Sequence, residues 1–195
     1  MGEPRIVDLD APGLDWTDVT MPAASAPVRL VRLHADAATG SSVSLVRFPA
    51  GWTRPGTGHY TCAEEFTVLD GRISVSGTAR SAGAYAYLPE LTTRTDSFVG
   101  AGGCLAVAWF SGPPRWKDGV AEEAPGPGAE TGRTHSALLG SLAELSGRLP
   151  GIGDGATGLD ATFLDARVWA YAPDAASLPD LPGRVLVRRW PASGD

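Results

Sequence analysis

The chain has little cysteine, lysine, histidine or methionine, and no long apolar run. Cys62 and Cys104 are the only 2 cysteines, too few for a disulfide framework. Both read as buried free thiols of a protein of the reducing cytoplasm, since residues 1–8 lack a signal-peptide core. Lys117 is the lone lysine, net charge is −6, and no basic run exists, which excludes a nucleic-acid partner. No apolar stretch approaches membrane-spanning length, so a membrane partner is excluded as well. Nothing provides a Ser/His/Asp triad, a P-loop or a dinucleotide fingerprint. The Gly-rich run at residues 151–155 follows no strand and reads as a loop.

What is present is punctuation and alternation. With 25 glycines and 16 prolines in 195 residues, the chain breaks into short runs, and its length suits one domain with an appendage. Residues 1–27 read as an N-terminal arm with a short strand at Ile6–Leu9 and Trp16 as an anchor. Residues 28–33 and 42–48 alternate with period 2 and form an antiparallel pair. Residues 64–69 and 72–76 flank Asp70-Gly71, a two-residue hairpin turn in which both positions accept φ > 0. Residues 84–88, 98–99 and 104–110 supply further strands, the last apolar enough to be buried on both faces. Residues 113–133 have linker composition. Leu138, Leu139, Leu142 and Leu145 have helical spacing, so an amphipathic helix is expected within residues 134–149. Strand-like runs follow at 166–171 and 184–190, completing a C-terminal extension over residues 134–195.

One stretch organises the rest. His59-x4-Glu64-x6-Gly71 is similar to the first motif of the cupin superfamily, His-x-His-x3-or-4-Glu-x6-Gly. Gly83-x5-Pro89-x-Leu91-x2-Arg94 resembles the second, Gly-x5-Pro-x-Gly-x2-His. The resemblance spans roughly residues 28–112. It implies a mainly β fold, a cupin-like double-stranded β-barrel (jelly roll) at residues 28–112, with the N-terminal arm and a mixed α/β C-terminal extension. Such barrels often hold a metal on three His and one Glu, and often dimerise through sheet edges. With His59 taken as the second His, Thr57 and Arg94 replace two ligands, so the metal motif is incomplete and no cofactor is firmly implied.

These residues suggest a chemistry. Histidine is the side chain whose ordinary range spans neutral pH, which makes His59 the natural proton carrier; its rival reading is a hydrogen-bonded structural residue. Glu64, inward by the resemblance, needs a cation if it is buried. Arg94 is that cation, either as a structural ion pair or as a fixed charge replacing the metal and holding a carboxylate, enolate or phenolate. Adjacent Glu64 and Glu65 point to opposite faces, so Glu65 meets solvent or an Arg. Catalytic candidates are therefore His59, Glu64 and Arg94. Arg47, Trp52, Tyr60, Phe66, Tyr87 and Trp109 are the ligand-binding candidates, forming an aromatic wall for a flat or polyene-like molecule. If a metal binds, His59, Glu64 and Cys62 are the candidate ligands, with His34 and His135 in reserve. The expected function is a metal-independent acid/base cyclase, isomerase or dehydratase acting on a secondary metabolite. Two alternatives stand beside it: a metal-dependent cupin oxygenase or isomerase, and a non-catalytic small-molecule-binding barrel. A small molecule, and a second copy in a homodimer, are the partners this implies.

Overall fold

The computed structural model describes residues 4–125, 137–141 and 156–191. The chain divides into two compact units, residues 15–133 and residues 1–14 with 134–195. Both are built from antiparallel strands, and no described helix is long and apolar enough to cross a membrane.

In residues 15–133 the strands are β2 (Thr17–Val19), β3 (Val28–Ala35), β4 (Ser42–Phe48), β5 (Thr53–Arg54), β6 (Gly58–Tyr60), β7 (Glu64–Val75), β8 (Thr78–Ser81), β9 (Tyr85–Leu88), β10 (Ser97–Phe110) and β11 (Trp116–Asp118). A sheet runs in the order β2-β3-β4-β10-β7-β8, with β5 pairing on β10 and β9 on β7, while β6 and β11 form a separate ribbon. This is the mainly β jelly roll that the cupin resemblance implies. Its core packs Val28, Val46, Trp52, Phe66, Val68 and Leu88 with their neighbours.

The Asp70-Gly71 hairpin is corrected. Strand β7 runs straight through both residues, and the chain reverses at Ser76-Gly77, whose φ values of 50° and 77° are those of a two-residue type I′ turn. Gly71 does have a positive φ, 73°, but in a β-bulge. Leu105 faces Asp70 and Ala106 faces Val68, so Leu69 is the extra residue. An inserted residue reverses the alternation, and Glu64 and Phe66 thereby share a face with Ile73 and Val75.

The other unit holds β1 (Arg5–Asp8), β12 (Ala137–Ser141), β13 (Ala156–Phe163), β14 (Val168–Ala172) and β15 (Arg184–Pro191), in the order β1-β14-β13-β15-β12. The short N-terminal strand thus pairs with β14. The helix expected within residues 134–149 meets a strand instead: Ala137–Ser141 pairs in register with Arg184–Arg188. Pairing with a long neighbouring strand outweighs the helical spacing of Leu138 and Leu139, while Leu142 and Leu145 lie outside the described residues. Strand β13 has no counterpart in the sequence reading. Leu159, Ala161 and Phe163 form its apolar face, packed with Val185 and Val187.

Candidate functional site

Glu64 opens β7 with its side chain turned into the barrel, and Arg94 reaches the same space from the loop before β10. That loop is pinned at its backbone, because Gly58 N–H donates to Arg94 O and Arg94 N–H donates to Gly58 O, at 2.9 and 2.7 Å. Leu91 N–H donates to Tyr60 O, and Leu91 adopts φ 63° where the motif has glycine. The loop keeps the motif's turn despite the substitution, which places Arg94 at the third-His position.

Arg94 Nη2 donates to Glu64 Oε2 at 2.9 Å. Its side chain is 2% exposed and that of Glu64 17%. Burial pulls the guanidinium below its ordinary range and Glu64 opposes the shift; an arginine remains charged regardless. Arg94 Nε and Nη1 are buried without a hydrogen-bond partner, as is Ser97 Oγ. Arg54 Nη1 donates to Tyr60 Oη at 2.9 Å, and its guanidinium stacks 4.2 Å over the Trp116 ring. Tyr60 lies with its ring 4.7 Å from the Arg94 guanidinium. Burial pushes the Tyr60 phenol above its ordinary value, with Arg54 pulling the other way, so it is a protonated donor at neutral pH.

These groups line one cavity together with Met21, Phe48, Trp52, Phe66, Ile73, Val75, Ala106 and Ala108. The cavity volume is about 40 Å³, within about 480 Å³ of non-protein space that includes open solvent. Of the residues singled out by sequence, Glu64, Arg94, Trp52, Tyr60 and Phe66 meet here. His59 does not. Neighbours on β6 point to opposite sides, so Tyr60 faces the cavity while buried His59 turns away, its Nδ1 at 3.0 Å from Gly119 O. The motif's shorter spacing, three residues before the Glu, fits the geometry and puts Tyr60 in the second-His position. Arg47 is exposed and stacks on Trp16 at 4.7 Å. Tyr87 and Trp109 face Glu65 across their strands, on the other side of β7 from Glu64. Glu65 is fully buried there, away from solvent, and accepts from Tyr85 Oη at 2.9 Å. Cys62 lines a separate cleft with Glu90 and Arg115, and burial pushes its thiol up to about 11. His34 lies on β3, and His135 is outside the described residues. The sequence reading missed Arg54 and Ser97. Trp52 and Arg54 are two apart in an extended segment, so period-2 alternation from inward Trp52 was the available signal.

The cavity does not fit a divalent metal. With the shorter spacing, the first-His position is Gly58, where even a Cβ would collide with the Trp116 ring. Tyr60, Glu64 and Arg94 occupy the other three positions, and Arg54 adds a second cation. One carboxylate already held by a guanidinium, between two positive charges, is a poor donor set for a metal ion. Among the described residues, no group of three His, Cys, Asp or Glu side chains converges elsewhere.

Comparison with known proteins bears on the fold. A protein from Nostoc punctiforme described as a candidate dioxygenase is 17% identical, with a TM-score of 0.67 over 99% of this chain and 85% of its own. A polyketide cyclase from Streptomyces resistomycificus, 17% identical, aligns over 64% of this chain and 90% of its own with a TM-score of 0.48. A candidate acetylacetone dioxygenase from Methylibium petroleiphilum, also 17% identical, aligns over 62% and 83% with a TM-score of 0.47. No curated protein matches. At 17% identity the Nostoc punctiforme protein speaks for shared architecture alone. The model of the ChrR cupin-like domain matches residues 7–110, more than half of the chain, and the protein belongs to that family.

Proposed function

We propose that the barrel is a metal-independent small-molecule enzyme that moves protons at a carbon next to a carbonyl, the step shared by isomerases, cyclases and dehydratases. The observation that carries this reading is the buried Glu64–Arg94 pair facing Tyr60 in a cavity whose remaining walls, Arg54 and Ser97 apart, are apolar. Among the described residues only Oε2 of Glu64 has a hydrogen-bond partner. Oε1 is thus the proton acceptor. Because Arg54 donates to Tyr60 Oη, the phenolic hydrogen is left to donate to the substrate oxygen. As Glu64 takes the C–H proton, negative charge develops on that oxygen, where the Tyr60 hydroxyl donates to it and the nearby positive charges of Arg54 and Arg94 stabilise it. Return of a proton to carbon restores every group. The role assigned to His59 by sequence passes to Glu64 and Tyr60.

Deuterium exchange tests this. The protein is incubated in D2O with butanone and with 2-oxobutyrate, and exchange next to the carbonyl is followed by NMR. Exchange above the buffer rate is expected for the wild type with or without chelator, and Glu64→Gln should reduce it by at least ~100-fold. Buffer-rate exchange with both compounds would sink the reading and leave a binding barrel. Exchange that disappears with chelator and returns with iron or zinc would show metal chemistry instead.

A further inference from the structure

We infer that the ligand class of this cavity is a small organic monoanion, a short-chain carboxylate bound through its charged end to Arg94 and Ser97. The inference deepens the proton-transfer reading and names the substrate class of the same site. Three observations converge on it.

The first is charge. Arg54 and Arg94 bring two positive charges against the single carboxylate of Glu64. The walls are otherwise neutral, so the complement is one negative charge. A dianion would overshoot and a neutral molecule would leave a cation uncompensated.

The second is hydrogen bonding. Arg94 is 1% exposed and Ser97 2%, yet Arg94 Nε, Arg94 Nη1 and Ser97 Oγ have no partner. Nε–H points to the Nη2 side and Nη1 lies on the Cδ side, so the two form no common fork. A carboxylate meets Nη1 through one oxygen, and the other is left for Ser97 Oγ. Buried donors are nearly always satisfied, and these three have no partner among the described residues. Ser97 stands beside Arg54 in the β5–β10 register, which sets a third donor next to the second cation.

The third is size and polarity. Phe66, Ile73, Val75, Ala106 and Ala108 make the far wall apolar. The room of about 40 Å³ for water centres equals roughly three waters, at about 10–15 Å³ each. A carboxylate with a tail of about two to four carbons fits. The flat or polyene-like ligand expected from the aromatic residues loses two of its walls, since Tyr87 and Trp109 lie opposite Glu65 on the other side of β7.

Titration calorimetry on the full chain tests the class. The probes are acetate, propionate, butyrate and hexanoate, with propionamide, succinate, phosphate and nitrate as controls. Propionate or butyrate should bind best, about tenfold or more tighter than propionamide and succinate. Ser97→Ala should weaken that binding severalfold. Arg94→Met should abolish it, with circular dichroism reporting whether that variant is folded; should it not fold, Ser97→Ala carries the test alone. Equal affinity for propionate and propionamide would overturn the inference, as would nitrate binding as tightly as propionate, or binding unchanged in Ser97→Ala. Saturable carboxylate binding without deuterium exchange would sink the proton-transfer reading and leave this one standing. Exchange as fast with butanone as with 2-oxobutyrate, and no carboxylate binding, would sink this one alone.

Discussion

At Arg94 one terminal nitrogen holds Glu64 Oε2 at 2.9 Å while Nε and Nη1 have no partner, so removing this side chain has two separable effects. One is loss of ligand binding. The other falls on Glu64, whose carboxyl is left in an apolar cavity without its cation. Because that side chain keeps 17% exposure, the cost to Arg94→Met at neutral pH is expected at ~1–3 kcal/mol. A carboxyl in that position favours its neutral form, so in the variant its folded pKa lies above the unfolded value of about 4.3. The stability is then fully present below the unfolded value and lost as pH rises through the folded one. Urea unfolding of variant and wild type between pH 4 and 8 should therefore converge toward acid, and Glu64→Gln/Arg94→Met should recover most of the loss. A pH-independent difference would mean the two residues do not share a cavity. Cysteine behaves in a related way. Burial raises Cys62 to about 11 and Cys104 to about 12, so both thiols should resist Ellman's reagent at pH 8 until the chain unfolds. Their raised folded values contribute stability present below about 9 and lost as pH rises through 11 to 12. Rapid labelling of either thiol in the native protein would contradict this.

At the scale of the element, β7 depends on glycine in two places for different reasons. At Gly71 φ is 73° and a Cβ would collide with the Gly103 carbonyl oxygen of β10; at Gly77 φ is 77° with open space around it. Gly77→Ala should therefore cost about 1 kcal/mol from backbone conformation alone, while Gly71→Ala adds the displaced strand and should cost ~2–4 kcal/mol. Denaturant midpoints of the two variants compare them directly, and equal losses would show that the close approach of β10 at the bulge does not matter. The same pair explains a misreading. Asp70-Gly71 and Ser76-Gly77 both offer φ > 0, which a bulge and a type I′ turn need alike, and Asp-Gly is the stronger hairpin signal. Only the partner strand decides between them, and β10 is brought there by residues some thirty positions later. Leu138 and Leu139 fail as helix markers for the same reason, since pairing with β15 is non-local. The alternating runs of β3, β4 and β9 were legible because one buried face suffices to mark a strand. On β6 a spacing of three or four before the Glu decided between Tyr60 and His59, and single-residue register in a strand is what local pattern cannot fix.

Across the whole molecule, each unit holds a buried arginine–carboxylate pair among its described residues, Glu64–Arg94 and Asp160–Arg188, and the two differ in how completely they are satisfied. In the sheet of residues 1–14 and 134–195, Asp160 accepts from Arg188 Nη1 at 3.1 Å, Trp169 Nε1 at 2.9 Å and Trp190 Nε1 at 3.2 Å. Both partners are at most 2% exposed, and four acceptances by the two oxygens close the network around the carboxylate. In the barrel, the pair leaves two guanidinium nitrogens unmet and opens on a cavity. A closed pair serves the fold; an open one is available to a ligand. Arg188→Met should then cost ~3–5 kcal/mol, because it strands a carboxylate with no route to solvent. That exceeds the loss expected for Arg94→Met. The two should also separate on adding propionate. Ligand that binds only the native state stabilises by RT ln(1 + [L]/Kd), about 1.4 kcal/mol at tenfold excess over Kd. The wild-type unfolding free energy should rise by that amount. Arg188→Met, if folded at the assay temperature, should show the same increment on its lower baseline, and Arg94→Met should show none. An increment retained in Arg94→Met, or lost in Arg188→Met while that variant stays folded, would place the anion away from the barrel pair.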